Sequence, residues 1–271
     1  MALPRKEIKA DLQDCVRTVF AEVLRQEGFQ SYRGEDLSWY RLVNDELVQS
    51  VHFMIFQWSC PNMTIGYGVH PLFVQPHFLS SAVYNCFMEV KCFPEYPPKT
   101  KMYAPWKYPE WSWVICAAPI SDYFKVLTDQ ILPIFQKVRT MEDAYAHHKS
   151  IVSKTEEALR NCGASCTDPD FGYDMDLLTE AVYFDDGEYL ESHRAGMMER
   201  MGNIVKYFED GTKAQQKEDV INYSRFELFF AAMDKGEREA FLTYLEQEKK
   251  KNLAKLEKDV FSYKKPVKEE T

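Results

Sequence analysis

A chain of 271 residues with 45% hydrophobic and 14% aromatic content has ample material for a buried core, which excludes a disordered protein. Its net charge of −9 argues against general nucleic-acid binding. No apolar run approaches the ~20 residues of a membrane-spanning helix, the longest being Trp113 to Ile120.

The charge is concentrated. Nine acids and no Lys or Arg lie between Thr167 and Ser192, and the rest of the chain balances. Seven cysteines, an odd number and widely scattered, are expected to be reduced thiols. The opening MALPRKEIKADL has no apolar signal core, so a cytoplasmic location is expected.

In chain order, residues 5–27 predict an amphipathic helix. Ile8, Leu12, Cys15, Val16, Val19, Phe20 and Val23 recur at spacings of three and four, and Gly28 stands just past the end. A polar link follows. Trp39 to Val43 predicts a short strand, Asn44-Asp45-Glu46 a hairpin turn, and Leu47 to Trp58 a long strand. Apolar residues on both faces of that strand predict cover on both sides. After Cys60-Pro61-Asn62, Met63, Ile65, Tyr67 and Val69 alternate with Thr64, Gly66 and Gly68. Glycines bared on one face suit either a large aromatic side chain packed over them or the floor of a ligand pocket.

These residues also carry a resemblance. The helix ending in Gly28-Phe29, then Trp39-Tyr40-Arg41, Val48-Gln49-Ser50-Val51, Gln57-Trp58-Ser59 and the glycine-bearing strand resemble the bacterial family called domain of unknown function 4304. The match covers residues 5–145. Gly66 departs from it, because the family tends to place Asn there. The resemblance implies a fold and no established activity.

Further strands are predicted at Val83 to Phe93 and Trp111 to Ala117, flanking a proline-rich loop from Pro94 to Pro109. A helix is predicted from Ser121-Asp122 through Val138, kinked at Pro133, and another through His147-His148 to Asn161. Beyond the acidic segment, helices are predicted at 173–183, 186–208, 214–234 and 236–260. The expected architecture is α+β: an N-terminal antiparallel sheet of about five strands packed with helices (1–165), then a helical region (166–271).

No nucleophile elbow, phosphate loop or dinucleotide fingerprint is present. Cys162 and Cys166 with His147-His148 lack zinc-site spacing, and Asp168 to Asp176 lacks the glycine and closing Glu of a calcium loop. No cofactor and no metal are therefore expected. The binding candidates are the aromatics Trp39, Tyr67, Trp106 and Trp111 and the polar Arg41, His52 and Gln57 around the sheet. The expected function is a non-catalytic cytoplasmic binding or protein-interaction module of bacterial type, immunity-like by analogy, with a protein or small-molecule partner. The alternative is a small enzyme with a histidine site beside the sheet.

Overall fold

The computed structural model describes residues 10, 13–14, 16–34, 37–56, 62–73, 120–161, 175–196, 198, 228–229, 231–232 and 237–263. The predicted strands at 83–93 and 111–117, all seven cysteines, the calcium-like stretch Asp168 to Asp174 and the predicted helix body at 214–227 lie outside them. The chain divides into two compact units: Met1–Ala144 with Lys250–Thr271, and Tyr145–Lys249. The first unit is thus built from both ends of the chain.

That unit holds a four-stranded antiparallel sheet in chain order: β1 (Gln30–Ser31), β2 (Ser38–Val43), β3 (Leu47–Phe56) and β4 (Asn62–Pro71). The expected α+β class is therefore correct, with β1 as a short edge strand inside the stretch read as a polar link. The β2–β3 turn uses Asn44 and Asp45, both at φ 54, with Glu46 N–H donating to Val43 O. Asn and Asp tolerate this left-handed backbone, which matches the twist of a hairpin.

The register sorts the side chains into two faces. One carries the rows Trp39–Val51–Tyr67 and Arg41–Gln49–Val69. The other carries Ser38–His52–Gly66, Tyr40–Ser50–Gly68 and Leu42–Val48–His70. Leu47 through Phe53 are all buried, as a centrally placed strand requires.

The first face packs on helices. Helix α1 (Ala21–Gln26) continues a wider turn at Val16–Phe20 and sets the Phe20 ring 4.8 Å from Phe53. It ends where Gly28 adopts φ +83, letting Gly28 N–H reach Arg25 O and Phe29 N–H reach Leu24 O. Those two bonds satisfy carbonyls that the helix end leaves open. Helices α2 (Ile120–Lys125) and α3 (Leu132–Lys137) are joined by a wide turn at Val126–Ile131. Pro133 falls in the first turn of α3, where its missing N–H is tolerated, so the change of winding sits where the proline predicts a kink. Phe135 from α3 meets both Phe29 and Tyr67.

Part of the opposite face is covered by helical residues 253–261. Tyr40, Val48 and Leu72 form one cluster with Leu256 and Val260, which belong to a helix (Arg238–Leu256) extended by a wider turn at Glu257–Phe261. Asn252 Nδ2 donates to Leu72 O at 2.7 Å.

In the second unit, helix α4 (Met141–Asn161) contributes its residues from Tyr145 onward, beside α5 (Met175–Phe184) and a helix over residues 187–196. Asp186 caps the last of these through Tyr189 N–H and also accepts from Lys149 and from the Tyr145 hydroxyl. The Lys149 ammonium lowers the pKa of Asp186, and burial followed by the hydrogen bond to Asp186 raises that of Tyr145. His148 Nδ1 lies 2.8 Å and 2.9 Å from the two carboxylate oxygens of Glu180, in a fully buried pair. Among the described residues, no helix is long and apolar enough to cross a membrane.

Candidate functional site

Of the sequence-predicted candidates, Trp39, Arg41 and Tyr67 share the helix-covered face, and His52 is on the other. Gln57, Trp106 and Trp111 lie outside the described residues. Trp39 and Tyr67 are buried, with the Arg25 guanidinium 5.5 Å over the Trp39 ring.

Arg41 serves as a connector. It donates through Nε and Nη2 to Gln49 Oε1 and through Nη1 to Glu27 O, which ends the α1 segment. Gln49, fully buried, donates in turn to Phe135 O at 3.0 Å and Val138 O at 2.8 Å. The two side chains thus satisfy open carbonyls at the ends of α1 and α3. The guanidinium lies 4.6 Å over Phe29, and its pKa is lowered by burial first and then by Arg139, against the pull of Glu27. Every contact here holds helices to the sheet.

The opposite face has a different chemistry. Its rows bring Ser38, Ser50, His52 and His70 together with two glycines. Ser50, His52 and His70 are at most 2% exposed. His52 Nδ1 lies 3.1 Å from Ser38 Oγ, its partner directly across the sheet, and the Tyr40 ring meets the imidazole edge-on at 5.4 Å. Burial lowers the pKa of His52 from 6.5 to about 4, so the ring is neutral at physiological pH. Among the described residues, the buried atoms Ser50 Oγ and His52 Nε2 have no hydrogen-bond partner.

The bare glycines have a partial explanation. A Cβ at Gly68 would lie 2.2 Å from His70 Nε2 and 2.9 Å from Ser50 Oγ. The group over Gly68 is therefore an imidazole with a hydroxyl, and not the large aromatic that the alternation suggests. Sequence reasoning also missed Ser38 and Ser50. Ser50 is signalled only as a polar residue on a strand buried on both faces; Ser38 has no local signal, because its partner is fixed by register.

No known protein family, curated protein or solved structure matches this chain. The histidine-bearing face must therefore be read from its own geometry.

Proposed function

We propose that this chain is a non-catalytic binding protein of the cytoplasm, with its binding locus on the histidine-bearing face of the sheet. The observation that carries the reading is that the buried atoms Ser50 Oγ and His52 Nε2 have no hydrogen-bond partner among the described residues. Each such atom costs about 1–3 kcal/mol when left unmade, so a group that completes both is strongly favoured there. The odd number of scattered cysteines suits a reducing compartment.

The enzyme reading draws on one contact, Ser38 Oγ at 3.1 Å from His52 Nδ1. A serine nucleophile needs a base poised near the working pH and an orienting group on the other ring nitrogen. His52, held near 4, is a weak base, and its Nε2 has no partner among the described residues. The geometry thus favours holding a ligand over activating a hydroxyl.

Native mass spectrometry of the full chain as purified tests this. Binding predicts a retained small molecule, seen as a mass excess over the denatured chain and reduced in Ser50→Ala. A bare native mass, together with turnover of an activated ester that Ser38→Ala abolishes, would overturn it in favour of the enzyme.

A further inference from the structure

The last described helical turns dock on the sheet through few apolar side chains. We propose that helical residues 252–261 form a releasable strap, and that the groove beneath it takes the same segment of a second copy of this chain. That groove uses neither Ser50 Oγ nor His52 Nε2, the atoms on which the binding reading above depends.

The strap is held by a short set of contacts. Two buried apolar side chains, Leu256 and Val260, meet Tyr40, Val48 and Leu72, with Leu253 and Phe261 partly buried at the margin. The other two buried side chains of the segment are polar, Asn252 and Asp259. Asn252 donates to Leu72 O, and Asp259 accepts twice from Arg33. Polar anchors of this kind fix register more than they add stability, because each gives up water to make its bond. A segment with so few apolar contacts belongs to the low end of local stability and opens ahead of the rest of the fold.

The latch is easily released. Arg33 holds Asp259 from a left-handed backbone, φ 47, which is unfavourable for a residue with a Cβ. Undocking frees Arg33 to leave that conformation. Its side chain is 49% exposed, so water can replace the bond.

The structure shows what the groove accepts. The strap's hydrogen-bonding partners, Leu72 and Arg33, lie 180 and 226 positions away along the chain. No short connection therefore ties strap to groove, and another copy's segment can make the same contacts. Asn252, Leu256, Asp259 and Val260 share one side of the helix, and every copy carries them. A helix laid by such a face into a groove is a recurrent docking mode.

Hydrogen exchange of the full chain tests the release. Arg33→Ala is expected to speed exchange of the 253–261 amides about tenfold, as for one lost charge-assisted bond, and to leave Leu47 through Phe53 unchanged. Equal acceleration of both would show one cooperative fold and overturn the proposal. Docking in trans is read by fluorescence anisotropy with a labelled peptide of residues 250–263. The unaltered chain is expected to bind it weakly and saturably, because its own strap competes. Asp259→Ala in the chain should tighten that binding about tenfold, and the same change in the peptide should weaken it about tenfold. A chain variant that binds no more tightly, or a peptide indifferent to the change, would overturn the proposal. Should a chain variant fail to fold, the unaltered chain decides with the two peptides: saturable binding lost with Asp259→Ala supports the strap, and no binding of either overturns it.

Discussion

Asp259 Oδ1, on the last helical turn, accepts two hydrogen bonds from the Arg33 guanidinium, both 3.1 Å long. Arg33 adopts φ 47 to make this contact, and the hydrogen bond raises its pKa. The pair joins residues 226 positions apart and fixes the final turn beside β2. Leu256, fully buried against Tyr40 and Val48, depends on that docking. Leu256→Ala is expected to cost about 2–5 kcal/mol, the range for truncating a packed core residue. Arg33→Ala should lower the melting temperature in the same direction. Denaturant melts would check both; a Leu256→Ala loss under ~0.5 kcal/mol would show that the last helix does not cover the sheet at Tyr40 and Val48.

Gly68 offers a sharper steric test. A methyl group there meets the His70 imidazole and the Ser50 hydroxyl well inside contact distance. Gly68→Ala is expected to destabilise by about 1–3 kcal/mol, the usual cost of overpacking. Gly187, with nothing within 4 Å, is the control. Gly187→Ala in a helical turn should be neutral or stabilise by up to ~1 kcal/mol. Thermal melts of the two variants should therefore move apart.

The Arg41–Gln49 connection predicts a polar penalty. Gln49→Leu is close in volume but leaves Phe135 O, Val138 O and the guanidinium without the amide. Each buried group left so costs about 1–3 kcal/mol, so the change should rank with a large core truncation. Phe53→Ala, which removes the ring against Phe20, provides that scale at about 3–5 kcal/mol.

In the second unit, His148→Ala removes the imidazole from a buried carboxylate. Breaking such a pair costs about 3–5 kcal/mol, whereas replacing both partners with apolar residues of similar volume is often neutral. A double-substitution cycle through His148→Leu and Glu180→Leu should therefore show strong coupling, with the double variant more stable than Glu180→Leu combined additively with His148→Leu. Additive losses would show that the two groups do not act as a pair.

Much of the sheet was legible because its signals are local. The Asn44-Asp45 turn, the two-faced β3 and the glycine alternation of β4 each announce themselves within a few residues. Gly28 marked the end of α1 for the same reason. What was not legible depends on distant partners. The apolar residues Leu253, Leu256 and Val260 predict a helix, but nothing near them says that its last turns cover Tyr40 and Val48. Arg41 reads as a binding candidate, but its carbonyl partner is Glu27 O at the end of α1, and its hydrogen bonds reach α3 through Gln49, which donates to Phe135 O and Val138 O. β1, two polar residues long, has no alternation to detect.

The state of His52 sets a pH dependence. Its folded pKa is about 4 against 6.5 for the ordinary imidazole. As pH falls, the unfolded chain takes up this proton first. Stability is therefore complete above pH 6.5 and is lost as pH falls toward 4. The full loss from this group is on the order of 3 kcal/mol. Asp143 and Asp186, whose pKa values are lowered from 3.8, lose their contributions below that window. Urea melts across the window, compared with His52→Gln, should show a steeper slope for the unaltered chain.

The account's central claim is that His52 is a buried, neutral hydrogen-bonding group and not an acid–base catalyst. Titration of the His52 ring nitrogens by 15N NMR in the folded, full chain measures this most directly. The account predicts a neutral ring throughout the physiological range, with a midpoint near 4. A midpoint at or above 6.5 would contradict it, placing a titrating imidazole beside Ser38 and returning the face to the enzyme reading.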